Sequence, residues 1–194
     1  MSELLSRPKK TVSAHEKRRK LSRTIREICI FAMLGAMMFT SKILLEAIPN
    51  VHMLGMFTMV SANVYRIKGL IPVYGYAAIV CFYAGFAPWC LIHLYVWAVL
   101  WGMTMLIPQR LPNGVKAVIY PIVCALHGLC YGFLCGLSQV PIYFGDLTLE
   151  KLLAYTAYGF YFDLIHAIGN LGFGLLVLPL SLLLEKLERQ HGNR

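Results

Sequence analysis

Acidic side chains are scarce in this chain: nine Asp and Glu stand among 194 residues, against 18 Lys and Arg. Charged residues of both signs make up only 14%, where a soluble domain carries about 25%, and hydrophobic residues reach 58%. A water-facing surface cannot be assembled from that stock, which excludes an ordinary soluble enzyme. The Gly-x4-Gly-Lys-Ser/Thr phosphate loop is absent, so the chain has no ATP-hydrolysing site of its own. The His-Glu-x-x-His and Gly-x-Ser-x-Gly patterns are absent as well, and no catalytic motif is left to argue for an enzyme. The six cysteines (Cys29, Cys81, Cys90, Cys124, Cys130, Cys135) form no Cys-x-x-Cys pair, which argues against a zinc ribbon or a disulfide framework. Buried free thiols are expected, with Cys90 the one conceivable soft ligand.

The net charge of +9 is concentrated at one end. Nine basic residues fall within the first 26 positions, and the remainder is an almost neutral apolar body. Nucleic-acid recognition needs cations spread over a folded face, whereas these precede an apolar run directly. They predict a basic tail over 1–25 attracted to anionic lipid. The first apolar run is too long for a secretory signal and lacks a small-residue cleavage site.

Stretches free of Asp, Glu, Lys and Arg cover 69–109, 117–145 and 164–184, and 28–65 is broken only by Lys42 and Glu46. A spanning helix needs about 20 apolar residues. Dividing the longest stretch at Ala84-Gly85-Phe86-Ala87-Pro88 predicts an all-α membrane protein with six transmembrane helices, near 26–47, 52–66, 69–86, 88–107, 116–137 and 161–184. Basic residues mark cytoplasmic loops. Alternating these helices then places both termini in the cytoplasm, with a membrane domain over 26–187 and a short tail over 188–194. Between the last two helices, Thr148 as cap and Glu150 in the first turn predict a short interfacial helix over 149–158.

Ionisable groups inside apolar spans mark function by default. Lys42 and Glu46, four apart, are expected to pair with each other near a helix end. Asp163, His166 and Asn170 follow i, i+3, i+7 spacing and share one helix face, which must point into the bundle; they serve either as ligand contacts or as an interhelical clamp. His93 is flanked by Trp89 and Trp97, with Trp101 beyond, a stripe that predicts a flat wall for a planar ring. His127 opens a row with Gly128, Tyr131, Gly132, Cys135 and Gly136. The glycines at every fourth position predict close approach of another helix, while His127 and Tyr131 join the candidate binding set. Ala32 and Ala36 form a second small-residue stripe, suited to one of the chain's own helices or to another membrane protein.

Taken together, these residues resemble the substrate-binding S component of energy-coupling factor (ECF) transporters, bacterial importers of micronutrients. The resemblance spans about residues 26–187. It rests on Ala32-x-x-x-Ala36, on Leu45-Glu-Ala-Ile-Pro-Asn-Val-His-Met-Leu54, and on Phe162-Asp163-Leu164-Ile165-His166. It implies a multi-pass protein of the bacterial cell membrane that captures a vitamin-like compound outside and delivers it inward. Ala32 and Ala36 would contact a transmembrane coupling subunit; two partner ATPases would hydrolyse ATP, and the chain itself would hold no cofactor. The ligand would lie among Asn50, His52, Trp89, His93, His127, Asp163, His166 and Asn170, with Trp97 and Tyr131 beside them. Many relatives carry Asn and Lys where this chain has Asp163 and His166, so no particular vitamin follows. The rival reading is a haem- or quinone-binding membrane protein using His93, His127 and His166 as axial groups; an accessory subunit without a ligand is the third.

Overall fold

The computed structural model describes residues 13–192. They form eight α-helices in chain order: α1 (Ala14–Leu44), α2 (Leu54–Tyr65), α3 (Leu70–Ala84), α4 (Cys90–Met105), α5 (Asn113–Leu129), α6 (Tyr131–Phe144), α7 (Leu149–Gly174) and α8 (Val177–Gly192). Residues 14–25, expected as tail, are already helical: Ser13 caps α1 by accepting the Glu16 N–H at 3.2 Å. The rest of the expected basic tail, residues 1–12, lies outside the described residues, as do 193 and 194.

The expectation of six transmembrane helices with both termini cytoplasmic is corrected here. Among the described residues, three helical stretches are long and apolar enough to cross a membrane: Glu16–Leu44, Leu54–Ala84 and Asn113–Phe144. A fourth is reached if Leu149–Gly174 and Val177–Gln190, bent by 44° at their junction, count as one span. The physical reason is length. The segments expected at 52–66 and 69–86 fold as helices of 12 and 15 residues, and α4 has 16. At about 1.5 Å per residue none of these covers a hydrocarbon core of about 30 Å alone. What remains is a small all-α, multi-helix, multi-pass membrane protein.

Where the chain breaks its helices, the cause is local. Ala84 ends α3 and Cys90 begins α4, so the fold point at Gly85–Pro88 is as expected; Gly85 takes a φ of +87°, open to glycine without strain. The separate interfacial helix over 149–158 does not form. Thr148 does cap, accepting the Lys151 N–H at 3.2 Å, but the helix it starts runs unbroken to Gly174. Between α2 and α3 a 3-10 turn at Arg66–Gly69 redirects the chain. Gly69 comes so close to the Ser61 carbonyl that an added Cβ would lie 2.4 Å from its oxygen.

Packing is dominated by two close approaches. Gly35 of α1 meets the backbone of α3 around Pro72 and Tyr76. The glycine row of α5 and α6 meets α7: a Cβ on Gly128 would stand 3.0 Å from the Ala167 backbone, and one on Gly132 would strike the Asp163 carboxylate. This is the groove the four-residue spacing predicts. One end of the bundle gathers charge, with Arg26 paired to Glu188, Lys68 to Glu27 at 2.7 Å, and the Tyr65 hydroxyl donating to Glu188 at 3.0 Å. The 45–53 loop and the α3–α4 turn lie at the other end.

Gly69→Ala is expected to lower stability by about 1–3 kcal/mol through overpacking against Ser61. Gly102→Ala, where a new Cβ meets open space, is expected to be neutral or stabilising. Thermal unfolding of the purified protein in detergent checks the pair; equal behaviour of the two variants contradicts the tight turn.

Candidate functional site

A cavity of about 450 Å³ opens at the loop end of the bundle, between the 45–53 loop, α3 and α4. The loop is held by short turns, Ile48 N–H to the Leu45 carbonyl at 3.0 Å and Val51 N–H to the Ile48 carbonyl at 3.2 Å. Asn50 adopts a φ of +57°, a conformation that Asn tolerates better than most residues. Val51 then rests on Gly169 of α7, which turns Asn50 and His52 toward the void.

Six of the residues singled out from sequence line this cavity: Asn50, His52, Trp89, His93, Trp97 and Tyr131. α4 supplies the aromatic wall at helical spacing. Trp97 is fully buried and donates its indole N–H to His93 Nδ1 at 3.2 Å, which requires that nitrogen to be unprotonated. His93 in turn packs edge-on against Trp89 and Tyr76, with ring centroids 5.6 and 5.5 Å away. Trp101 does not belong to the wall: its N–H donates to the Arg66 carbonyl at 2.9 Å, at the charged end of the bundle.

Beneath the void the rings form a closed cluster. His166 sits 4.6 Å from Tyr131 and 4.8 Å from His52, centroid to centroid, and Trp97 touches His52, His127 and Tyr131 at 5.4, 5.6 and 5.9 Å. Burial lowers the imidazole of His52, in the loop, to about 4, and the Lys42 ammonium adds to that lowering; the ring is neutral at physiological pH. Among the described residues neither ring nitrogen of the fully buried His166 has a hydrogen-bond partner, and His52 Nδ1 and His127 Nδ1 are also unpaired. Buried polar atoms are normally satisfied; eight are unpaired among the described residues, four of them on these three imidazoles, of which His52 lines the void.

The polar stripe of α7 divides by role. Asp163 accepts the Gly132 N–H at 2.9 Å, satisfying a donor in the first turn of α6 just after the chain breaks at Cys130. Asn170 donates to the Cys124 carbonyl at 3.1 Å, and His127 Nε2 bonds the Val96 carbonyl at 3.0 Å. These three are interhelical clamps and do not line the main cavity. Asp163 instead borders a second void of about 450 Å³ across the loop, which shares Pro49, Asn50 and Tyr131 with the first.

Lys42 and Glu46 also line the main cavity, and no ion pair joins them among the described residues; the expected mutual pairing does not form. Tyr76, buried in α3, completes the lining. It carries no signal in the sequence, being one tyrosine in a charge-free run, whereas Lys42 and Glu46 were visible as ionisable groups within an apolar segment. Ala32 and Ala36 are exposed beside Met33 and Met37, while Gly35 makes the close contact with α3; Ala32 borders a surface groove with Ile71 and Gly75 of that helix. All six cysteines are free. Among the described residues no group of three or more His, Cys, Asp or Glu is arranged to hold a metal ion.

No protein-family profile, no curated protein and no solved structure matches this chain. The geometry alone therefore carries any reading of the site.

Asp163→Ala is expected to cost about 1–3 kcal/mol by leaving the Gly132 N–H unpaired, while Asp163→Asn, which keeps an acceptor oxygen, costs much less. Unfolding temperatures of the two variants check this; equal losses contradict the capping role.

Proposed function

We propose that this chain is the membrane-embedded substrate-binding component of an ECF-type importer, which captures a vitamin or related micronutrient and passes it inward through a coupling subunit driven by partner ATPases. One observation carries the reading: a cavity of about 450 Å³, walled by Trp89, Trp97, Tyr76 and Tyr131 and rimmed by a few polar groups, opens at the end of the bundle away from the charged cluster. Ligand sites have this composition, mostly apolar and aromatic with sparse polar groups, and volumes of about 300–1,000 Å³. The missing phosphate loop fits a chain that relies on a partner for energy. The exposed Ala32 and Ala36 fit a docking face for such a partner, since small residues let helices of different proteins approach closely. In this reading the chain performs no chemistry: the unpaired Nδ1 of His52, which lines the void, serves a ligand and not a proton relay.

The haem alternative finds less support. Of the three imidazoles that reading uses, His127 and His166 pack on Trp97, His166 also on Tyr131, and His93 Nδ1 accepts the Trp97 indole N–H at 3.2 Å, so all three are already engaged with the protein's own aromatic rings.

Native mass spectrometry of the purified protein tests the reading. A small molecule retained in one-to-one stoichiometry, and accumulated in proteoliposomes only when a coupling subunit and ATPases are co-reconstituted with ATP, is the expected result. A Soret band would favour haem, and a protein that carries nothing and co-purifies with no coupling subunit would overturn the importer role.

A further inference from the structure

The cavity is lined by one cation that no acidic group pairs with among the described residues. Lys42, on the last turn of α1, is half-buried and lines the void, yet it makes no hydrogen bond or ion pair among the described residues. It is the only Lys or Arg in the lining. Its ammonium is not among the buried unpaired atoms; it stays in reach of water at the open void, as a flexible side chain of this length allows, and is free to meet an anion there. Glu46, one turn further on, is exposed and does not neutralise it. The remaining polar groups of the lining, Asn50, His52 and His93, carry no positive charge while the imidazoles are neutral. Opposite them stand the faces and edges of Trp89, Trp97 and Tyr76.

We propose that the compound bound here is a planar aromatic monocarboxylic acid, its carboxylate paired with the Lys42 ammonium and its ring laid against the Trp89–Trp97 wall. This rests on the substrate-binding reading above and names its ligand class. Charge count selects the acid. The lining holds one cation, Lys42, and one anion, the exposed Glu46, so Lys42 can pair with one carboxylate while a second negative charge finds no further cation and is repelled by Glu46. A phosphate ester, at about −1.5 to −2, meets one ammonium where it needs several donors. A neutral ring leaves Lys42 without a partner.

The test titrates the full-length protein in detergent with indole-3-acetate, 2-naphthoate and quinoline-2-carboxylate, with the matching carboxamides, and with 2-naphthyl phosphate, reading heat and thermal stabilisation together. At least one acid is expected to bind saturably, at least tenfold more tightly than its amide and than the phosphate. Lys42→Met removes that tenfold preference with little effect on amide binding, and Lys42→Arg keeps it. Failure of every acid to bind, equal affinity for acid and amide, a preference for the phosphate, or indifference to Lys42→Met would each overturn the proposal. A neutral or cationic compound retained through purification would end this inference and leave the substrate-binding reading standing; loss of that reading is marked instead by the absence of any retained compound.

Discussion

A hydrogen-bonding group inside an apolar bundle must find its partner within the protein or in something the protein holds, because hydrocarbon offers none. That constraint sorts the polar side chains here. Asp163 Oδ1, the Asn170 side-chain nitrogen and His127 Nε2 are satisfied by backbone groups of neighbouring helices. Both nitrogens of His166 and the Nδ1 atoms of His52 and His127 are not. The bonded atoms tie α7 to α5 and α6 and tie α5 to α4; the unpaired imidazole nitrogens pack with Trp97 and Tyr131, while Thr58 Oγ1, Ser61 Oγ, Asp163 Oδ2 and Asn170 Oδ1 are unpaired elsewhere among the described residues.

The two populations depend on each other. Glycines at four-residue spacing let α7 approach closely enough for Asp163 to reach the Gly132 N–H and for Asn170 to reach Cys124. This fixes the height of His166 on α7, where it packs against Tyr131 and His52, two residues that do line the cavity. The loop over 45–53 rests on α7 through Val51 and Gly169, so His52 is positioned from the same helix. A brace of polar clamps on one side and an open aromatic wall from α4 on the other is an arrangement suited to a binding protein whose frame stays still while a ligand occupies the void.

Much of this was legible in the residues. The Thr148 cap, the fold point before Pro88, the glycine row and the Trp89–His93–Trp97 stripe follow from local chemistry and helical period, and each appears where the sequence places it. Three things were not legible. Hydropathy measures how apolar a run is, not where its helix breaks. The joining of α2 and α3 into one stretch, the shortness of α4 and the bend near 175 therefore changed the count of helices able to span. Spacing places Asp163 and His166 on one face but does not say that the carboxylate serves a helix end while the imidazole goes unpartnered. Nor does an i, i+4 spacing decide pairing: Lys42 and Glu46 line the cavity instead of neutralising one another.

The central claim is that the void beside Trp97 exists to hold a small molecule. Calorimetric titration of whichever compound the purified protein retains tests this most directly, run on the unaltered protein, on Trp97→Ala and on Trp101→Ala. The account predicts one-to-one saturation for the unaltered protein and for Trp101→Ala, and a loss of at least a hundredfold in affinity for Trp97→Ala. Unchanged binding by Trp97→Ala in a folded protein would contradict it.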